Sequence, residues 1–312
     1  MDVRLSATPE GPLKGIKVVD LTAMITGPLC AQHLGDLGAD VIKIEPLHGE
    51  VARWMSPPQE AGLTGFYAQQ NRNKRSIAVD LKNPEGIELV KKLAAEADLL
   101  VENFRHGVAD RLGIGFEDLK AINDRLIYLA ITGFGPTGPY ANRPAYDPIA
   151  QGLVGGCFIQ GKAFGGRPQL IQSAIVDKTT AHIAAGIVVS ALYARDCNGG
   201  TGKGQRVDVP MIDAWAACSL SDMMPVDAFV PNEMDDPEPL AVLRTFATKD
   251  GYVVGMALQD NHFQGLCKAL ECEGLLEREG MRNVGERIAD FGPWLDAIGE
   301  EMQKFTSEDL LA

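Results

Sequence analysis

The sequence has no paired cysteines, no long apolar run and no excess of basic residues. Its six cysteines are scattered without a Cys-x-x-Cys pair, which argues against a disulfide framework and against a zinc site. No run of 18 or more uncharged apolar residues occurs, and no basic region followed by an apolar segment opens the chain. We therefore expect no membrane span, no signal peptide and a cytoplasmic location.

Acidic residues outnumber basic ones. The 42 Asp and Glu against 29 Lys and Arg give a formal net charge of −13. Nucleic-acid binding needs a basic face, so we expect no nucleic-acid partner. An acidic protein that binds an anionic small molecule has to concentrate its cations at the site. The neighbours Lys74 and Arg75 are such a cluster, although a solvated surface pair is an open alternative.

The first half of the chain alternates short apolar runs with helical patterns, which is typical of an α/β fold on a parallel sheet. The predicted strands are residues 16–21, 41–45, 76–80, 99–103 and 126–131, and the predicted helices are 27–37 and 84–97. Ligands of such sheets bind at the carboxyl ends of the strands. The glycine fingerprint of dinucleotide-binding folds is missing after the first strand, so NAD binding is not expected.

The pattern also predicts a domain organisation. Residues 1–222 form a large domain, residues 223–240 are rich in Pro, Asp, Glu and Met and read as a linker, and residues 241–312 form a small domain. The small domain is expected to begin with a hairpin over residues 245–254, turning at Asp250-Gly251. The last residues continue an amphipathic pattern without a capping signal, so we expect the chain to be incomplete.

Asp177 stands where an apolar run, residues 173–177, meets a helical pattern that begins at Thr179. The positive end of a helix keeps a nearby carboxylate ionised, and an ionised carboxylate can attack an activated acyl group. The alternative is that Asp177 only caps the helix, because Asp is a preferred capping residue. The local pattern alone favours the cap.

Four segments carry a resemblance to a known family. They are Val19-Asp20-Leu21-Thr22 with Gly27-Pro28, Asn73-Lys74-Arg75-Ser76, Val101-Glu102-Asn103-Phe104, and Gly202-x-Gly204-Gln205-x-Val207-Asp208-Val209-x-Met211-x-Asp213. Together they resemble the class III CoA-transferases, the family named for carnitine CoA-transferase and bile-acid-inducible proteins. Formyl-CoA transferase and α-methylacyl-CoA racemase belong to the same family.

The resemblance implies a Rossmann-like large domain built from both chain ends, a smaller α+β domain, and two subunits threaded into an interlocked homodimer. It implies acyl-CoA and carboxylate substrates, with coenzyme A as a substrate and no permanently bound cofactor or metal. The returning C-terminal segment of the family is largely absent from this sequence, which puts closure of the threaded dimer in question.

The resemblance also implies roles for individual residues. Asp177 matches the catalytic aspartate, and the other matches are CoA contacts: Met24, Ile25 and Thr26 along the pantetheine and thioester, Lys74 and Arg75 near the nucleotide, Asn103, Phe104 and Arg111 further along, and Met211 near the adenine. Asp147 is a second candidate catalytic residue that orients substrate or shapes the field around Asp177. A turn-and-cap role for Asp147 is equally open, and Phe104 is equally a core residue.

Two departures from the family pattern bear on the activity. Ile25 replaces a glutamine of formyl-CoA transferase, and Tyr146 replaces the histidine that racemases carry before Asp147. A tyrosine is a poor base at neutral pH. We therefore expect an enzyme that moves CoA from an acyl-CoA to a carboxylic acid through an aspartyl anhydride and an aspartyl-CoA thioester. The alternatives are a racemase or isomerase of the same family, and a non-catalytic CoA-binding protein.

Overall fold

The computed structural model describes residues 10–55, 62–162, 165–223 and 243–311. The chain forms two compact units, Met1–Met223 and Met224–Ala312. From residue 224 onward, the predicted linker lies outside the described residues.

A six-stranded sheet organises the first unit. Its strands are β1 (Lys17–Asp20), β2 (Asp40–Glu45), β3 (Lys74–Ala78), β4 (Leu99–Glu102), β5 (Ile127–Thr132) and β6 (Arg206–Pro210). All pairs are parallel and the order is β3-β2-β1-β4-β5-β6, which confirms the predicted fold class. The strand order reverses between β1 and β4, and in such sheets this switch point opens a crevice for ligands at the carboxyl ends.

Helices cover both faces of this sheet. They are α1 (Thr26–Asp36), α2 (Gly65–Asn71), α3 (Pro84–Ala95), α4 (Val108–Arg111), α5 (Phe116–Lys120), α6 (Asp147–Leu153), α7 (Gly156–Lys162), α8 (Ile175–Asp196) and α9 (Met211–Met223), with a 3₁₀ turn at Val51–Trp54. Successive residues of β4, Leu99 and Leu100, belong to cores on opposite faces of the sheet. The nearly continuous apolar runs in the central strands follow from this double covering.

Helix α8 is long and apolar enough to cross a membrane by length and composition. In this fold, however, one face of α8 lies in the core formed with α1, α9 and the sheet, where Ala181, Ala184 and Val188 are fully buried. The core helix of a globular unit satisfies the same criterion, so the helix by itself is weak evidence for a membrane segment.

The second unit is smaller and mostly helical. It contains the antiparallel pair β7 (Thr245–Ala247) and β8 (Tyr252–Val254), the helices α10 (Asp260–Ala269), α11 (Val284–Ala289), α12 (Phe291–Met302) and α13 (Ser307–Leu311), and a 3₁₀ turn at Glu273–Glu277. The predicted hairpin is present, but its turn differs. Four residues, 248–251, join the strands because the Thr248 hydroxyl accepts the Gly251 N–H, so Asp250-Gly251 is only part of the connection.

Candidate active site

A cavity of about 890 Å³ opens at the switch point of the sheet. Its walls come from the loops after β1, β4 and β5 and from the first turns of α6, α8 and α9. Nine of the predicted site residues line it: Met24, Ile25, Thr26, Asn103, Phe104, Arg111, Asp147, Asp177 and Met211. This volume is in the range of small-molecule and cofactor sites. Lys74 and Arg75 do not line the cavity.

Asp177 is the third residue of α8, because the helix begins at Ile175 and not at the predicted Thr179. Residues 173–177 therefore contain no strand. The residue in the N-cap position is Ala174, whose side chain makes no capping hydrogen bond. The alternative that Asp177 only caps this helix is therefore wrong, and its carboxylate is available for other chemistry.

Asp147 is the group that caps α8. It begins the neighbouring helix α6, is buried, and its Oδ2 accepts the backbone N–H groups of Val176 at 2.7 Å and Asp177 at 3.1 Å. Its Oδ1 accepts a hydrogen bond of 2.5 Å from Gln151, one turn later in α6. Asp147 therefore acts on α8 from a different element. Gln151 was not among the predicted residues, and its i, i+4 spacing from Asp147 is the only sequence signal that would have suggested it.

The Asp177 carboxylate meets the Thr26 hydroxyl, which donates to its Oδ1 from the first turn of α1. Burial raises the pKa of Asp177 to about 6, and the negative charge of Asp147 adds to this, while the Thr26 hydrogen bond and Lys178 oppose it. We expected the helix terminus to keep this group ionised. The structure shifts the pKa of Asp177 in the opposite direction, because burial of the carboxyl and the negative charge of Asp147 outweigh the Thr26 hydrogen bond and Lys178.

A pKa near 6 predicts an acid limb in the activity. Above this pH the Asp177 carboxylate is mostly ionised and nucleophilic, and below it the carboxylate is protonated and inactive. We expect the rate of any reaction that uses Asp177 as a nucleophile to fall tenfold per pH unit below about 6. The measurement is kcat/KM across pH 4.5 to 8, and a limb near pH 4 would show an unperturbed carboxyl.

The loop between β1 and α1 is held against the loop after β4. Asn103 accepts the Ala23 N–H at 3.0 Å and donates to the Ala23 carbonyl at 2.8 Å. The next residue, Met24, has a φ of 72°, a left-handed conformation that is uncommon for a residue with a side chain. A side chain at Gly27 would meet Thr22 at 2.4 Å, so this tight packing requires glycine there.

The two members of the predicted basic pair lie outside the cavity and have different surroundings. The Lys74 ammonium is 1% exposed and donates to Asp20, to the Pro28 carbonyl and to Asn71 at 2.7–2.9 Å. An ammonium has three donors, and all three are used. Arg75 is 67% exposed on the edge strand β3 and pairs with Asp40 at 2.7 Å. The position of Lys74 on β3 therefore points its ammonium into a buried polar cluster.

The cations of the cavity are three arginines: Arg105, Arg111 and Arg143. All three are exposed, and in the described ranges no carboxylate pairs with any of them. Arg143 stacks on Tyr140 with its guanidinium carbon 4.5 Å from the ring centroid. Only Arg111 was predicted, since the other two stand in loops without a pattern. Unpaired arginines in a cleft are suited to phosphate and carboxylate groups.

We predict that substitution of the buried Lys74 lowers stability, whereas substitution of a cavity arginine lowers CoA affinity. Lys74→Ala should destabilise the protein by about 3 kcal/mol or more, because it leaves the buried Asp20 short of a partner. Arg111→Gln should change the free energy of unfolding by no more than about 0.5 kcal/mol. It should weaken CoA binding and make that binding less dependent on salt than in the parental protein. Arg75→Gln serves as the exposed control. Calorimetric titration with CoA and thermal unfolding measure both effects, and unchanged CoA affinity in Arg111→Gln would contradict the assignment.

Two histidines of the first unit, His106 and His182, differ in their positions. His106 lines the cavity and follows Arg105 in the loop after β4. His182, in α8, is exposed, and its ring centroid lies 4.2 Å from that of His33. Across the described ranges, no three His, Cys, Asp or Glu side chains converge closely enough to hold a metal ion.

Comparison with known proteins identifies this arrangement. The model of CoA-transferase family III matches residues 13–312. The human succinyl-CoA:glutarate CoA-transferase is 36% identical over 298 residues, covering 94% of this chain and 67% of that protein. The succinate–glutarate CoA-transferase of Agrobacterium fabrum is 33% identical over 310 residues, covering 96% of this chain and 76% of that protein.

A solved structure agrees with these sequence matches. The crystal structure of a CAIB/BAIF family protein from Brucella suis superposes with a TM-score of 0.80 at 36% identity, covering 96% of this chain and 80% of that one. The chain spans about two thirds of the length of its human relative. It belongs to CoA-transferase family III.

Proposed function

We propose that the protein transfers CoA from an acyl-CoA donor to a free carboxylic acid, with Asp177 as the nucleophile. The observation that carries this is the Asp177 carboxylate, which faces a cavity large enough for a thioester and is not used as a helix cap. The names of the curated relatives, which are CoA-transferases, support the reaction class.

The reaction begins at Asp177 Oδ2, which accepts no hydrogen bond from the described residues, whereas Oδ1 accepts the Thr26 hydroxyl. Oδ2 attacks the thioester carbonyl, the C–S bond breaks and the CoA thiolate leaves, so that a mixed anhydride remains. The thiolate then attacks the aspartyl carbonyl and releases the donor acid, giving an aspartyl-CoA thioester. The acceptor carboxylate repeats these two steps in reverse, which conserves the thioester free energy without ATP.

The remaining residues of the site hold either Asp177 or the substrate. Thr26 and Asp147 hold Asp177, one through its carboxylate and the other through its backbone N–H. Met24, Ile25 and Phe104 present apolar surface along which a pantetheine arm can lie. The three arginines of the cavity are suited to the phosphates of CoA and to a second carboxylate on an acyl group.

Short dicarboxylic acids are the proposed substrates, because relatives of this chain are named for succinyl-CoA and glutarate, oxalate or mesaconate. The test incubates the purified protein with succinyl-CoA and each acid and follows new acyl-CoA species by mass spectrometry. We expect a new acyl-CoA without ATP, and hydroxylamine should trap Asp177. Binding of CoA with no exchange for any pair would instead support a non-catalytic CoA-binding protein.

A second candidate is racemisation or isomerisation next to a thioester. The specific observation in its favour is His106, a base of suitable type in the same cavity as Asp177. The two functions separate in heavy water, since only the racemase exchanges the α-hydrogen of a 2-methylacyl-CoA for deuterium. His106→Gln should abolish such exchange and leave CoA transfer nearly intact.

We also propose that the protein is a homodimer, as the family resemblance implies, and that it works in the cytoplasm, which its scattered, unpaired cysteines support. Light scattering at micromolar concentration should give about twice the mass of one chain. A well-folded monomer would contradict the proposal.

A further inference from the structure

One buried carboxylate beside the active-site loop has no part in the mechanism above. Glu50 is 3% exposed and precedes the 3₁₀ turn Val51–Trp54. Its Oε2 accepts the backbone N–H of Met24 at 2.8 Å, and its Oε1 accepts a hydrogen bond of 3.3 Å from Asn71. A buried carboxylate is costly unless it is paired and hydrogen-bonded, so its position calls for an explanation.

The partner of this carboxylate is Lys43, whose ammonium is fully buried and lies 3.4 Å from Glu50 Oε1. The same ammonium donates to the Thr22 carbonyl at 2.8 Å. The ion pair therefore holds the loop at two points, the carbonyl of Thr22 through Lys43 and the N–H of Met24 through Glu50. Charge-assisted hydrogen bonds of this kind are stronger than neutral ones.

The residue of this loop that Glu50 holds, Met24, has a strained backbone conformation. Met24 has the left-handed φ of 72°, which a residue with a side chain keeps only when its surroundings impose it. Both hydrogen bonds between Asn103 and this loop go to Ala23 and not to Met24. Two residues beyond Met24, Thr26 begins α1 and donates its hydroxyl to Asp177. The direction in which the chain leaves Met24 therefore decides where the Thr26 hydroxyl lies.

We propose that Glu50 is a positioning residue that fixes the left-handed Met24 backbone and so keeps the Thr26 hydroxyl on the Asp177 carboxylate. This inference rests on the proposed function only in taking Asp177 as the nucleophile. Without the Glu50 contact, Met24 relaxes towards negative φ and Thr26 moves away from Asp177.

Loss of the Thr26 hydrogen bond has a measurable effect on Asp177. The groups that act on this carboxylate are Thr26 from α1, Asp147 from α6 and Lys178 from its own helix. Burial and Asp147 raise its pKa, and the Thr26 hydrogen bond is the larger of the two opposing effects. Removing that hydrogen bond from the ionised form therefore raises the pKa of Asp177 further.

The test is a titration of Asp177 that does not depend on activity. The carboxyl ¹³C shift is followed against pH in protein labelled with ¹³C-aspartate, and Asp177→Asn identifies the signal. We expect Glu50→Gln to raise the pKa of Asp177 by about one unit, because its single amide oxygen faces the Lys43 ammonium and its NH₂ group then meets the Met24 N–H. Thr26→Val should raise it equally, and the double variant should raise it no further because both changes remove the same hydrogen bond.

A matched control comes from the same buried cluster. The Tyr67 hydroxyl donates to Glu45 at 2.8 Å, and among the described residues it makes no hydrogen bond with Glu50 or with the loop between β1 and α1. Tyr67→Phe should reduce stability and leave the titration of Asp177 unchanged. If Glu50→Gln does not fold, Glu50→Asp keeps the charge beside Lys43 and withdraws the carboxylate from Met24, so the same upward shift is expected.

An unchanged titration of Asp177 in a folded Glu50 variant would overturn the inference, and so would shifts that add in the double variant. The proposed function fails separately, if the parental protein exchanges no CoA while its Asp177 still responds to Glu50. In an active enzyme, the acid limb of kcat/KM should move upward by the same amount in Glu50→Gln.

Discussion

Asp177→Asn should abolish CoA transfer and leave a folded protein that is at least as stable as the parent. The amide cannot form the anhydride, so turnover should fall by several orders of magnitude. The amide oxygen can still accept the Thr26 hydroxyl, and the capping of α8 is unaffected because Asp147 performs it. Loss of the nucleophile without loss of the fold is the signature of a group kept for function.

The stability of this variant follows from the raised pKa of Asp177. The folded protein holds a proton on this carboxyl up to pH 6, whereas the unfolded chain releases it near pH 4, so the contribution of Asp177 to stability falls as the pH rises through this window. At pH 7 the ionised group is destabilising by up to about 3 kcal/mol, and asparagine removes this penalty. Stability at pH 7 should therefore rise.

Denaturant unfolding and a mass-spectrometric transfer assay measure the two effects. Glu85→Gln is a matched control, since Glu85 is an exposed carboxylate in the first turn of α3, outside the cavity. It should be neutral in both assays. A folded Asp177→Asn protein that exchanges CoA at near the parental rate would refute the mechanism.

Asp147→Ala should have the largest effect on stability within the site. It leaves the N–H groups of Val176 and Asp177 without an acceptor at a largely buried helix start, which costs about 1 to 3 kcal/mol. Transfer should fall as well, because the first turn of α8 carries the nucleophile. We therefore expect Asp147 to support Asp177 through the start of α8, because both of its carboxylate oxygens already accept hydrogen bonds.

Asp147→Asn separates the charge of Asp147 from its capping role. The amide oxygen can replace Oδ2 as an acceptor, but the negative charge beside Asp177 is lost, so the pKa of Asp177 should fall. The acid limb of kcat/KM should then lie below pH 6, and the maximal rate should change less than in Asp147→Ala. An acid limb that stays at pH 6 would show that Asp147 does not act electrostatically on Asp177.

Local pattern predicted five of the six strands of the sheet, and the family resemblance predicted nine residues of the cavity wall. The apolar runs before Asp20, Glu45 and Asn103 predict strands whose ends carry ligand-binding loops, and β1, β2 and β4 end within one residue of these positions. The same kind of apolar pattern misleads at the start of α8, where residues 173–177 have a strand-like composition but contain no strand. Residues 175–177 are helical and not a strand because Asp147, thirty residues before Asp177, caps the helix.

The sequence alone determined the parallel α/β architecture, the family resemblance and the choice of Asp177, because strand periodicity and short motifs are local properties of the chain. Only the tertiary structure decided which charged groups are buried and which partners they have. Lys74 and Arg75 are neighbours in sequence, yet alternation along β3 sends one into a buried cluster and the other to solvent. The raised pKa of Asp177 likewise depends on burial and on Asp147, which long-range folding alone brings together.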